Sequence, residues 1–308
     1  VSTTHSIVGA IVGFAIAGIG INSVHWDTIG QIVASWVISP VLGGVVAILL
    51  MLSIRRLILD ADNPFQQAKR WGPVYVFLVG WIVSMVTLFK GLDHLNLHLS
   101  TLASVLLATL IGLGTALIGK ILIDRVQMDA TADRLFHFAS VEKVFTPMMI
   151  FTACAMAFAH GSNDVANGIG PVAAVVAVIQ SGGEVAQQST LPLWILILGG
   201  VGIVVGLATM GYRVMQTIGT KITELTPTRG FSATLAAAAV VVLASKTGLP
   251  VSTTHIAVGA VMGVGLSRGI AALDLRVIGN IVISWLITLP AGAILAALFF
   301  YLFKAIFG

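Results

Sequence analysis

The feature that most limits what this chain can fold into is a segment that occurs twice. VSTTHSIVGAIVG (1–13) lies over VSTTHIAVGAVMG (251–263) with nine of thirteen positions identical. Further along, GQIVASWVI (30–38) lies over GNIVISWLI (279–287) with six of nine identical. In both copies a Pro, small residues and a long apolar stretch follow. Two blocks repeated in the same order describe one supersecondary unit built twice.

The surroundings of the repeat are apolar. Of 308 residues, 57% are hydrophobic and 9% are charged, against roughly 25% charged in an ordinary soluble domain. So little charge leaves a water-facing surface uncovered, which excludes a cytosolic enzyme, a nucleic-acid binder and a disordered scaffold. The solvent that fits is a bilayer, crossed by helices of about 20 apolar residues. Ile29–Ile54, Val74–Phe89, Leu102–Ile123, Leu193–Tyr212 and Val277–Phe303 are such stretches. Ser6–Gly18 is too short. Phe145–Ile179 and Phe231–Ser267 are too long and are interrupted by GSNDVANGIGP and SKTGLPVSTTH, which predicts discontinuous helices there. Trp26, Trp71, Trp81, Trp194 and Tyr75 fit an aromatic belt at the membrane interfaces. The single cysteine, Cys154, lies in the apolar run FTACAMAFA and reads as a small buried side chain.

Basic residues give the orientation. Of the 16 Lys and Arg, thirteen fall in 55–72, 120–143, 213–230 and 268–276. The alternate loops hold only Lys90 and Lys304, and Lys246 lies inside an interrupted stretch. The first set therefore faces the cytoplasm. Phe231–Ser267 then begins and ends inside, as a re-entrant hairpin, whereas Ser6–Gly18 leads to an outside loop at 20–28. The two VSTTH copies thus enter the membrane with opposite orientation. The expected fold class is an all-α integral membrane protein with an inverted-topology repeat, discontinuous helices and re-entrant hairpins. Residues 1–54 form the later part of repeat 1, 55–145 two membrane helices with cytoplasmic linkers, and 146–308 repeat 2. AHGSNDVANGIGP (159–171) precedes the second copy, and its first-copy partner would lie upstream of Val1, so a longer native chain is expected.

Two motifs carry chemistry. After Pro250, Ser252, Thr253 and Thr254 are good helix N-caps, and Ser2, Thr3 and Thr4 repeat them. A helix N-terminus, with free N–H groups and about +0.5 charge, favours an anion. Two such ends meeting on a two-fold axis offer six hydroxyls to one tetrahedral oxyanion. The second motif, GSNDVANG (161–168), puts Asn163, Asp164 and Asn167 within one turn, flanked by Gly161, Ser162 and Gly168. Asp164 is the only acid deep inside a membrane stretch and reads as a cation site. Its carboxylate, the Asn oxygens and the carbonyls of a broken helix suit Na⁺, with Asp164 and Asn163 as metal ligands. Apart from Lys246, no cation lies near either VSTTH copy, so bound anion requires bound cation for balance. Lys246 fits a role in sealing the hairpin tip. His5, His255 and His160 flank the motifs as hydrogen-bonding supports, while His25, His94, His98 and His137 show no metal-ligand spacing.

GSNDVANGIGP together with the duplicated VSTTH resembles the inorganic phosphate transporter family of cation-coupled symporters. The resemblance covers 1–54 and about 141–308. It implies an inverted-repeat fold, a homodimer, and phosphate carried with Na⁺ or with H⁺. It also implies phosphate on the STT motifs and cation on the ND motif. The chain departs from the pattern in having a single ND motif, and in Thr234 of GFSATLA, where many relatives carry Glu. The function expected is uptake of inorganic phosphate coupled to Na⁺, by a multi-pass protein of the cell (inner or plasma) membrane. Alternatives within the resemblance are an H⁺-coupled phosphate or metal-phosphate symporter and a sulfate permease. No nucleic acid and no bound cofactor are expected beyond the co-transported cation. Other classes fit less well. A channel needs a continuous polar stripe, whereas the polar residues cluster at two depths. An intramembrane hydrolase built on Ser252 and His255 lacks a placed acid. ATP-driven transport lacks a P-loop.

Overall fold

The computed structural model describes residues 2–88, 100–129, 133, 138–182, 192–245 and 251–307. Phe89, Lys90, His94, His98, His137, Lys246 and Pro250 lie outside the described residues. Within them the chain is helical, with no strand. The helices are α1 (Thr3–Gly18), α2 (Trp26–Ile54), α3 (Pro64–Val86), α4 (Thr101–Asp124) and α5 (Ala139–Gln180). They are followed by α6 (Leu193–Gly206), which runs on through π turns to Lys221, then α7 (Pro227–Ser245), α8 (Thr253–Leu266) and α9 (Leu275–Phe307).

Six of the described helices are long and apolar enough to cross a membrane. These are α2, α4, α5, α6 with its extension, α7 and α9. The short arms of 16 and 14 residues, α1 and α8, begin at the two VSTTH copies. α3 is not among the six, because Gln66, Gln67, Lys69 and Arg70 occupy its first turns. α7 and α8 pack against each other.

The discontinuity expected at GSNDVANGIGP is absent. α5 is a continuous helix of 42 residues that runs through the motif with Pro171 inside it. Glycine lowers helix propensity by only about 1 kcal/mol, and neighbouring helices hold such a segment in place. Pro171 still has a consequence. It lacks an N–H, so the Asn167 carbonyl, four residues back, is left without its helical donor. Two smaller expectations also fail. Cys154 is exposed on α5, since an apolar side chain facing lipid carries no penalty. Tyr75 is buried, with its hydroxyl 2.9 Å from Ser53 Oγ and its ring against Phe145 and Phe231, and so belongs to the core.

The two repeat copies are interlocked. α1 packs on α9, the long helix of the other copy, and α8 packs on α2. Equivalent residues exchange partners throughout. A Cβ added at Gly9 would strike the Leu289 carbonyl oxygen, and one at Gly259 the Pro40 carbonyl oxygen. Gly13 meets Ala293 in the same way, and Gly263 meets Gly44. Leu289 and Pro40 are themselves equivalent positions, as are Ala293 and Gly44. Reciprocity of this kind is the pattern of an isologous contact about a local two-fold axis. Glycine is required at these crossings because the helix backbones touch, as in close-packed membrane helices.

Candidate functional site

The site forms where the first turns of α1 and α8 meet beside the middle of α5. Ser2 caps α1, its Oγ accepting the His5 N–H at 3.4 Å, and Ser252 caps α8, its Oγ accepting the His255 N–H at 3.3 Å. The two serine hydroxyls lie 3.0 Å apart and both are buried. The helix starts predicted from the STT residues are therefore present and face each other. A hydroxyl carries one proton, so one of the pair is used between the serines and the other is available to a ligand.

The threonines connect this point to α5. The Thr253 hydroxyl donates to Asp164 Oδ1 at 3.3 Å, and Thr3 is exposed on the first turn of α1. Asn167 Nδ2 donates to Thr4 Oγ1 at 3.0 Å. Thr254 is half-buried on the first turn of α8. Asp164 itself is 8% exposed. Its Oδ2 accepts from His160 Nε2 at 3.1 Å and its Oδ1 from Asn163 Nδ2 at 3.4 Å. Residues read separately as anion and cation ligands thus meet at two points, Thr253 on Asp164 and Thr4 on Asn167, while the serine pair bonds to itself.

Asp164 also borders two cavities along the α5–α6 crevice, of about 250 and 390 Å³. Gly168 lines the first, Gly161 and His160 the second, and Gly202 of α6 both. A Cβ at Gly161, Gly168 or Gly202 would meet nothing within 4 Å, so these glycines leave open space beside the carboxylate. Ser162 is half-buried on the same turn of α5. Among the described residues, no group of three or more His, Cys, Asp or Glu is placed to hold a metal ion. A cation here needs neutral oxygens as well as the one carboxylate, which suits a monovalent hard ion better than a transition metal.

Comparison with known proteins settles the family. A model of the phosphate transporter family matches residues 1–296. The chain belongs to the phosphate transporter family. The transporter is 48% identical to a putative phosphate permease of Haemophilus influenzae over 310 residues, covering 100% of this chain and 73% of that one. It is 41% identical to the chloroplastic inorganic phosphate transporter 2-1 of Arabidopsis thaliana, covering 99% of this chain and 55% of the relative. A solved structure described as the sodium-dependent phosphate transporter matches with a TM-score of 0.87 at 38% identity, over 99% of this chain and 74% of that one. With six candidate spans and this family, the protein is a multi-pass membrane transporter and not an enzyme.

Sequence reasoning missed the floor of the transporter's site. His5 and His255 do not stand alone. His5 stacks on Trp36 and His255 on Trp285, each pair with ring centroids 3.6 Å apart, and the two imidazoles are 4.5 Å apart. The signal was present: Trp36 and Trp285 are the matched tryptophans of the second repeated block.

Proposed function

We propose that this family member carries inorganic phosphate into the cell together with Na⁺, with phosphate held at the paired STT helix starts and Na⁺ at Asp164. The observation that carries the reading is that Thr253 of the anion site hydrogen-bonds the buried carboxylate of Asp164. An oxyanion placed there sits beside a negative group, and the described salt bridges bring no Lys or Arg to it. At 4 Å, like charges repel by about 4 kcal/mol at an effective dielectric near 20, so a bridging cation turns repulsion into attraction. Ligands for that cation are the Asp164 carboxylate, the Asn163 side-chain oxygen, the hydroxyls of the adjacent threonines, and Asn167 through the carbonyl that Pro171 leaves without a helical donor. The carbonyls expected from a broken helix thus reduce to one proline-freed carbonyl in an intact helix. The similar solved structure is of a sodium-dependent phosphate transporter, which supports Na⁺ over H⁺. A homodimer in the cell membrane, as the family resemblance implies, belongs to the same reading.

The deciding experiment is uptake of labelled phosphate into proteoliposomes. An inward Na⁺ gradient is expected to drive accumulation. Equal accumulation driven by a proton gradient in Na⁺-free buffer would refute Na⁺ coupling.

Opposed orientation of the two VSTTH copies is part of the proposal. It is supported by the reciprocal packing of the copies and by the bias of Lys and Arg toward 55–72, 120–143, 213–230 and 268–276. In a Cys154→Ala background, single cysteines at 20–28 are expected to react with impermeant reagent from outside, and those at 268–276 from inside. Reaction of both from one side rules out inverted topology.

A further inference from the structure

His5 Nδ1 lies 3.0 Å from the carbonyl oxygen of Trp285, and His255 Nδ1 lies 3.2 Å from that of Trp36. A carbonyl oxygen only accepts, so the proton of each neutral imidazole is on Nδ1. Nε2 of both rings is then a bare lone pair, buried and without a partner. Both histidines are at least 95% buried, with exposures of 5% and 2%. In the second copy Trp285 retains Leu289 as its helical donor, whereas in the first Pro40 takes the position that would supply the donor to Trp36. The His255 bond therefore fills a gap that the proline opens in α2.

Each histidine has two attachments. Its backbone N–H holds the N-cap serine of its own copy, and its ring holds the middle of the long helix of the other copy. The four rings Trp36, His5, His255 and Trp285 touch in that order, with the two imidazoles meeting edge to face in the middle. A rotation of one copy against the other lengthens both Nδ1 bonds while leaving both caps intact.

We propose that His5 and His255 are positioning residues: acting through Nδ1–H, they fix the separation of the two helix starts that face the transported anion. The proposal rests on the phosphate reading above for its functional consequence. The geometry itself does not depend on that reading.

The test uses isosteres. Asn carries an N–H at the distance of Nδ1 from the backbone, and Gln carries one at the distance of Nε2. Two readouts are taken on the double variants His5→Asn/His255→Asn and His5→Gln/His255→Gln. The first is the KM for phosphate in proteoliposomes. The second is the rate of disulfide formation between Ser2→Cys and Ser252→Cys in a Cys154→Ala background, which reports the gap without phosphate. The Asn pair is expected to stay within about threefold of the parent in both, whereas the Gln pair raises KM and slows cross-linking by about tenfold or more, the equivalent of one or two lost hydrogen bonds. Asn and Gln pairs that behave alike, or a Gln pair that is spared while the Asn pair suffers, overturn the proposal. A general packing role lowers folded yield in both pairs without separating them in KM, and that result also overturns it. If the cross-linking pattern holds but the parent takes up no phosphate, the brace stands and the phosphate reading fails.

Discussion

Asp164→Asn is expected to abolish Na⁺-dependent phosphate uptake. The change preserves size, an amide oxygen still accepts from Thr253 and Asn163, and the amide nitrogen that replaces Oδ2 can donate to His160 Nε2 once that ring carries its proton on Nδ1. What is lost is the charge. Attraction of about 4 kcal/mol between a cation and a carboxylate at 4 Å and an effective dielectric near 20 corresponds to roughly three orders of magnitude in Na⁺ affinity. Phosphate binding should lose its dependence on Na⁺ at the same time, because the cation no longer bridges the two. Radioactive Na⁺ binding and phosphate uptake, measured on the same preparation, check both halves. Normal Na⁺-driven transport by the variant removes Asp164 from the cation site.

The second large effect is expected from Ser252→Ala combined with Thr253→Val. Each donor lost to a charged ligand costs about 1.5–3 kcal/mol; Ser252 alone gives about one to two orders of magnitude in phosphate binding, and up to about four are lost if Thr253 turns its one proton from Asp164 to the anion once Na⁺ is bound. Part of the change falls on the helix, since Ser252 also caps α8, and losing a cap costs about 1 kcal/mol of stability. Thermal unfolding of the purified variant separates the two contributions. A retained melting transition with phosphate affinity unchanged would falsify the anion site.

Much of this arrangement was legible in the sequence. The repeat announced two equivalent units, the STT residues marked helix starts by ordinary capping chemistry, and an acid in an apolar run marked Asp164. Those signals are local, and local chemistry survives folding. The features that escaped are set by tertiary contact. GSNDVANGIGP carries glycine and proline, which weaken an isolated helix, yet α5 continues through it because packing against α7, α3 and α6 decides the outcome. Cys154 and Tyr75 were misplaced for a shared reason. In a bilayer, apolar character no longer separates inside from outside, so a cysteine faces out and a tyrosine of the expected interface belt turns in to Ser53. Each His–Trp pair lies within one copy, but the contact that joins them is His5 against His255, 250 positions apart, and no periodicity within one copy points across to the other.

The exchange of partners between copies also sets the timetable of synthesis. α1 emerges among the earliest elements of this chain, but the surface that receives Gly9 and Gly13 belongs to Leu289 and Ala293, 280 residues later. At ribosomal speeds of about 5–20 residues per second, that is a wait of roughly 14–56 seconds. Throughout it, a helix of only 16 residues, with a polar start and a glycine face, has no native neighbour from α9 to lie against. The half-site begun by α1 is therefore completed only when α9 has been made.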